Sequence, residues 1–111
     1  MAANRRRGEV EAVLDGRAHR LCLTLGALAE LEDAFALDDV SSLAQRFGSG
    51  RLSARDLTRI IGAALRGGGT PATDEEVAAM AIDGGAAGAA RIAADLLTAA
   101  FGGPEEPAAR P

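Results

Sequence analysis

Apolar positions alternate along the first part of the chain, at Val10, Ala12 and Leu14 and again at Leu21, Leu23 and Leu25. A period of two puts one side of an extended segment on a core and the other in water. Asp15-Gly16 separates the two runs and suits a two-residue hairpin turn, whose central positions both take positive φ. The pattern predicts a β-hairpin with strands from Glu9 to Leu14 and from Arg17 to Thr24. Arg17 and His19 are expected on its solvent side, away from Leu21 and Leu23, and Cys22 is expected to be a small buried thiol.

From Thr24 the apolar spacing becomes three and four, through Leu25, Leu28, Leu31 and Phe35, the stripe of an amphipathic helix. Thr24 suits the cap, and Glu30, Glu32 and Asp33 form a wet outer face. Asp38 and Asp39 can cap a second helix carrying Val40, Leu43, Ala44 and Phe47 and stopped by Gly48. A third begins at Ser53, where Asp56 completes an arrangement like a capping box and Leu52 can staple to Leu57. Its stripe continues through Ile60, Ile61, Ala64 and Leu65, and Gly67 to Gly69 end it as a flexible connector. Thr73 with Glu76 fits a capping box for a fourth helix, with Val77, Met80 and Ala81 facing inward before Asp83-Gly84-Gly85. A fifth is expected from about Ala86 to Phe101, with Ala89, Ile92, Ala93, Leu96, Ala100 and Phe101 on one side. The fold class is α+β and mainly α: an N-terminal β-hairpin followed by about five short helices. Residues 8–103 form a single domain, between a basic arm over 1–7 and a tail over 104–111 that are both expected to lack structure.

Composition narrows the chemistry more than the fold. In 111 residues the hydrophobic share is 48% but the aromatic share only 3%. A core of Ala and Leu buries less area per residue than one rich in aromatics, so stability in the lower part of the usual range of about 5–15 kcal/mol is expected. A formal net charge of −4 argues against a protein that coats nucleic acid. A helix-turn-helix drawn from the second and third helices, showing Arg51, Arg55 and Arg59, is the DNA-binding alternative. No secretory or membrane-spanning apolar run is present, so a cytoplasmic location without a membrane partner is expected.

Catalytic residues are not expected. His19 and Cys22 fall on opposite faces of one strand and have no base or nucleophile beside them. One His and one Cys supply no metal set, Asp38-Asp39 is not followed by a calcium-loop pattern, and Gly67–Gly69 lacks the Lys-Ser/Thr of a phosphate loop. No cofactor is therefore expected. Asp39-Val40-Ser41 is a poor match to the attachment serine of a carrier protein, which does not begin with a hairpin. What remains is a small adaptor whose amphipathic elements cover a partner's apolar surface, or else a domain whose stripes all serve its own core.

Leu23-Thr24-Leu25-Gly26-Ala27-Leu28-Ala29-Glu30-Leu31-Glu32, with Arg5-Arg6-Arg7-Gly8-Glu9-Val10 before it and Gly50-Arg51-Leu52-Ser53-Ala54-Arg55-Asp56-Leu57 after it, resembles the small gene transfer agent proteins of alphaproteobacteria. The resemblance covers roughly residues 4 to 102. That family belongs with the phage tail assembly chaperones and has also been labelled tail tube protein. It implies transient binding to the tail tube protein, the tape measure protein or both during tail morphogenesis, with self-association also open. A structural component of the particle is the alternative. On this reading an apolar groove including Leu28, Leu31, Phe35 and Phe47 is expected to shelter the partner segment.

Overall fold

The computed structural model describes residues 8–102. Two strands, β1 (Glu9–Leu14) and β2 (Arg17–Cys22), precede five helices: α1 (Leu25–Phe35), α2 (Val40–Gly48), α3 (Ala54–Gly67), α4 (Asp74–Ala78) and α5 (Gly85–Phe101). The arm over 1–7 and the tail over 104–111 lie outside the described residues.

The strands pair antiparallel, from Leu14 opposite Arg17 to Glu9 opposite Cys22. Asp15 and Gly16 both take positive φ, 54° and 76°, as a two-residue hairpin turn requires. Val10, Ala12, Leu14 and Leu21 are buried on the inner face. His19 is opposite Ala12 and partly buried, which corrects its expected place on the solvent side. Residues two apart share a face, so His19 and Arg17 point the same way as Leu21; Arg17, nearest the turn, remains exposed. By the same alternation Cys22 falls on the outer face, where it is only partly buried rather than a core thiol.

Helix α3 is the centre of the packing, in contact with β2, α1, α4 and α5. Ile60, Ile61, Ala63, Ala64 and Leu65 are all essentially inaccessible, so α3 is covered on nearly every side at its middle. Ser53 and Asp56 form the expected capping box at its start. At its end Gly67 and Gly68 are packed against β2 instead of forming a free connector. A Cβ on Gly67 would meet the Cys22 carbonyl and one on Gly68 the Arg20 carbonyl. Their missing side chains let the helix end lie directly on the backbone of β2.

Two further expectations are corrected, the second by contacts distant in sequence. The α1 stripe begins at Ala27, not Leu25; Ala27, Leu28 and Leu31 are buried while Leu25 is 82% exposed. Leu25 follows the Thr24 cap directly, and Leu23 takes the core position before it. Helix α4 has the predicted Thr73–Glu76 capping box but stops at Ala78. Beyond it the Asp15 N–H donates to the Ala81 carbonyl (2.8 Å), and the Asp15 carboxylate accepts from the Ala81 N–H (2.8 Å). Leu14 makes a β-bridge with Ile82, so the chain after α4 is drawn out as an extended piece beside β1 and Ala81 is exposed.

The close approach of α3 to β2 yields a prediction. Gly68→Ala should destabilise the fold by roughly 1–3 kcal/mol, because the added methyl meets main chain that cannot rotate away. Urea unfolding followed by circular dichroism measures it; an unchanged midpoint would show that the two elements can separate freely.

Candidate partner-binding surface

Thr24 caps α1 by accepting from the Ala27 N–H (3.0 Å), and Asp39 caps α2 by accepting from the Ser42 N–H (2.8 Å). Between these helices Ala36 adopts a left-handed φ of 55°. The N–H groups of Ala36 and Leu37 return to the carbonyls of Asp33 and Glu32, a reversal that satisfies the helix end and turns Leu37 back to the core. The turn brings Phe35 at the end of α1 against Phe47 near the end of α2. Their rings meet edge to face at 5.2 Å between centroids and 82° between planes, a favourable aromatic geometry.

The Arg46 guanidinium carbon is 5.4 Å from the Phe35 centroid and 5.7 Å from that of Phe47, and the Arg59 guanidinium carbon is 6.0 Å from Phe35. All three distances fall within cation–π range. Arg46 also donates to both oxygens of the Asp56 carboxylate, at 3.2 and 3.3 Å. Asp56 is only 6% exposed and additionally accepts from the Ser53 N–H at 3.0 Å. Burial alone would raise its pKa, but the Ser53 bond and the Arg46 charge and hydrogen bonds outweigh it and hold the carboxyl below its usual value. A second tie lies at the other end of α3. Arg66 donates to Glu30 (2.8 Å), Asp74 (3.1 Å) and the Ala72 carbonyl (2.7 Å), joining α1, α3 and the start of α4.

The four residues expected to shelter a partner have different environments. Leu28 and Leu31 are buried in the core, and Phe35 packs partly buried against it. Phe47 is 4% exposed, yet it contributes to an apolar groove of about 470 Å³ between α2 and α5. Leu52, Leu97 and Phe101 line the same groove, with Ala44, Ala90 and Ala94 on its sides. The α5 stripe read from the sequence is its inner one. Ala90, Ala94, Leu97 and Phe101 make a second, overlapping stripe at spacings of four, three and four, which was legible but hidden by the abundance of alanine.

His19 and Cys22 lie on opposite faces of β2. Among the described residues no group of three or more His, Cys, Asp or Glu side chains is placed to hold a metal ion. No helix among them is long and apolar enough to cross a membrane. Arg55 and Arg59 line a cleft with Asp74 and Glu75 rather than an all-basic surface.

A family model described as phage tail tube protein, GTA-gp10, matches residues 7–103. The chain belongs to this family. No curated protein and no solved structure matches it. Membership gives the protein a role in the tail of a phage-like or gene transfer agent particle and places it in a structural rather than an enzymatic family.

The Asp56 environment yields a pH prediction. An unfolded aspartate titrates near about 3.9, and the folded value lies below that. Its stabilising contribution is therefore complete above the unfolded value and is lost as pH falls through the folded one. Asp56→Asn should lower stability near neutral pH by about 1.5–3 kcal/mol, and the gap from wild type should narrow as pH falls from the unfolded value through the lower folded one. Urea midpoints across that range decide it; a gap independent of pH would remove the charge from the account.

Proposed function

We propose that this protein is a tail assembly chaperone, which binds the tail tube protein, the tape measure protein or both for part of morphogenesis and then releases them. The observation that carries this reading is the small share of β-structure. Among the described residues the sheet is a two-stranded hairpin, and one inner face of it is covered by the protein's own helices. A ring-forming tube subunit needs a β-sandwich or barrel whose strands join its neighbours edge to edge. The hairpin supplies little such edge, and the extended piece at Ala81–Ile82 occupies part of it at Leu14 and Asp15.

The groove between α2 and α5 provides the apolar contact that temporary holding requires. Its aromatic content is two phenylalanines among small side chains, a surface that can bind without the large aromatic anchors typical of very tight interfaces. A structural tail component is the second reading, and the family's own description as a tail tube protein favours it.

Co-expression with the tail tube protein and with the tape measure protein, followed by affinity capture, tests the choice. A chaperone should retain at least one of them, increase its soluble fraction and be depleted from purified particles. Retention of neither partner would remove the holding role. Recovery at tube-like copy number in finished particles would establish the structural reading instead.

A further inference from the structure

We propose that a second copy of this chain covers the groove between α2 and α5, its α5 lying antiparallel to the first across a two-fold axis. The proposal stands apart from the holding role, since it concerns what lies in the groove when no tail protein does. Along α5 the apolar lining is Ala90, Ala94, Leu97 and Phe101. Their spacings of four, three and four read the same in both directions, while their sizes run from small to large. Together these two properties select the pairing. About an axis between Asp95 and Leu96, Phe101 meets Ala90 of the other copy and Leu97 meets its Ala94. Every large side chain then faces a small one, which lets two helices interdigitate without voids at the usual axis separation of roughly 8–10 Å. A parallel pair would set Phe101 on Phe101 and Ala90 on Ala90, crowded at one end and empty at the other.

The surroundings suit such a pair. Ala90 and Ala94 are exposed, and Leu97 and Phe101 are half-buried, so apolar surface is left to cover. The N–H groups of Gly50 and Gly102, at the groove's border, already donate to the carbonyls of Phe47 and Thr98, and covering them strands neither donor. Arg91 falls opposite Ala100 of the other copy. The two Asp95 side chains come level near the axis, but they lie about a third of a turn from the stripe on the outer flank, where solvent and salt screen their repulsion. The face is two helices wide and runs from Ala90 to Phe101, roughly 20 Å by 16 Å. Side-chain relief raises its accessible area above that projection, toward the roughly 1,000 Å² in total at which specific pairing begins. An area of that size makes a reversible dimer, not an obligate one.

Sedimentation equilibrium of the full chain, with no tail protein present, tests the pairing. The mass should rise from 11.2 kDa toward twice that value, with a Kd of roughly 10–100 μM. Ala94→Arg, at an exposed position that faces Leu97 of the other copy, should weaken the dimer at least about ten-fold with an unchanged thermal melt. Ala90→Arg repeats the test should the first variant unfold. Spin labels read the direction of the pair, placed through Ala87→Cys, an exposed position, in a Cys22→Ser background. Antiparallel helices on this axis separate the two labels by roughly 25–35 Å, and a parallel pair holds them within about 20 Å. A chain that stays monomeric up to about 1 mM, a dimer undiminished by both arginine variants, or the shorter label distance would overturn the proposal. Capture of tail proteins is measured separately, so a monomer that still captures them would remove the pairing and leave the holding role intact.

Discussion

The carbonyls of Arg20 and Cys22 on β2 lie so close to Gly68 and Gly67 that neither glycine has room for a Cβ, and this contact fixes how α3 meets the hairpin. Helix α3 then provides the surface on which α1, α4 and α5 assemble. Its central residues are covered on nearly every side, an unusual position for a helix whose first turn shows Arg55 to solvent. The chain has three phenylalanines and no tryptophan or tyrosine, so bulky side chains cannot fill gaps between widely spaced elements. Close backbone approach and small residues take their place. Ala63, Ala64, Ala89 and Ala93 are all buried, and helices that meet through alanine must meet at short distance to keep dispersion contacts.

Polar contacts then set the angles that a core of alanine and leucine leaves loosely specified. The Asp15 clasp on Ala81 ties the hairpin turn to the segment between α4 and α5. Arg66 links α1, α3 and the start of α4, and Arg46 links α2 to the first turn of α3. All three are at element ends, where unpaired backbone groups or helix dipoles already require partners. Among the described residues no buried side-chain nitrogen or oxygen lacks a hydrogen-bond partner. Because the Arg46 and Arg66 side chains are partly exposed, their ion pairs contribute less through net Coulomb energy than through orientation.

The elements were legible in the sequence because their local signals agreed. Asp15-Gly16 fixed the turn, Thr24, Asp39, Ser53 and Thr73 marked four helix starts, and each accepts the expected backbone N–H. The misreadings arose where a partner remote in sequence decided the outcome. Met80 and Ala81 continue the α4 pattern, but Asp15 engages Ala81 first. Gly67 and Gly68 look like linker residues until β2 is placed beside them. His19 is a different case, since the two-residue period already put it in phase with Leu21. At the candidate surface, Phe47 was identifiable as one of few aromatics. Leu28 and Leu31 could not be separated from it, because a stripe that packs inward and one that lines a groove have the same spacing.

All three phenylalanines gather around α2. Phe35 and Phe47 meet edge to face, and Phe47 and Phe101 border the groove toward α5. The same aromatic pair thus supports the fold on one side and an apolar opening on the other. Arg46 couples the two sides, since it faces both rings while holding the carboxylate that caps α3. A ligand pressing on Phe47 would bear on a contact network that reaches the central helix rather than on an isolated surface side chain. Such a network keeps the groove formed when it is empty, which lowers the ordering cost of binding, while its alanine sides keep the contact area small. The groove is therefore preformed but shallow.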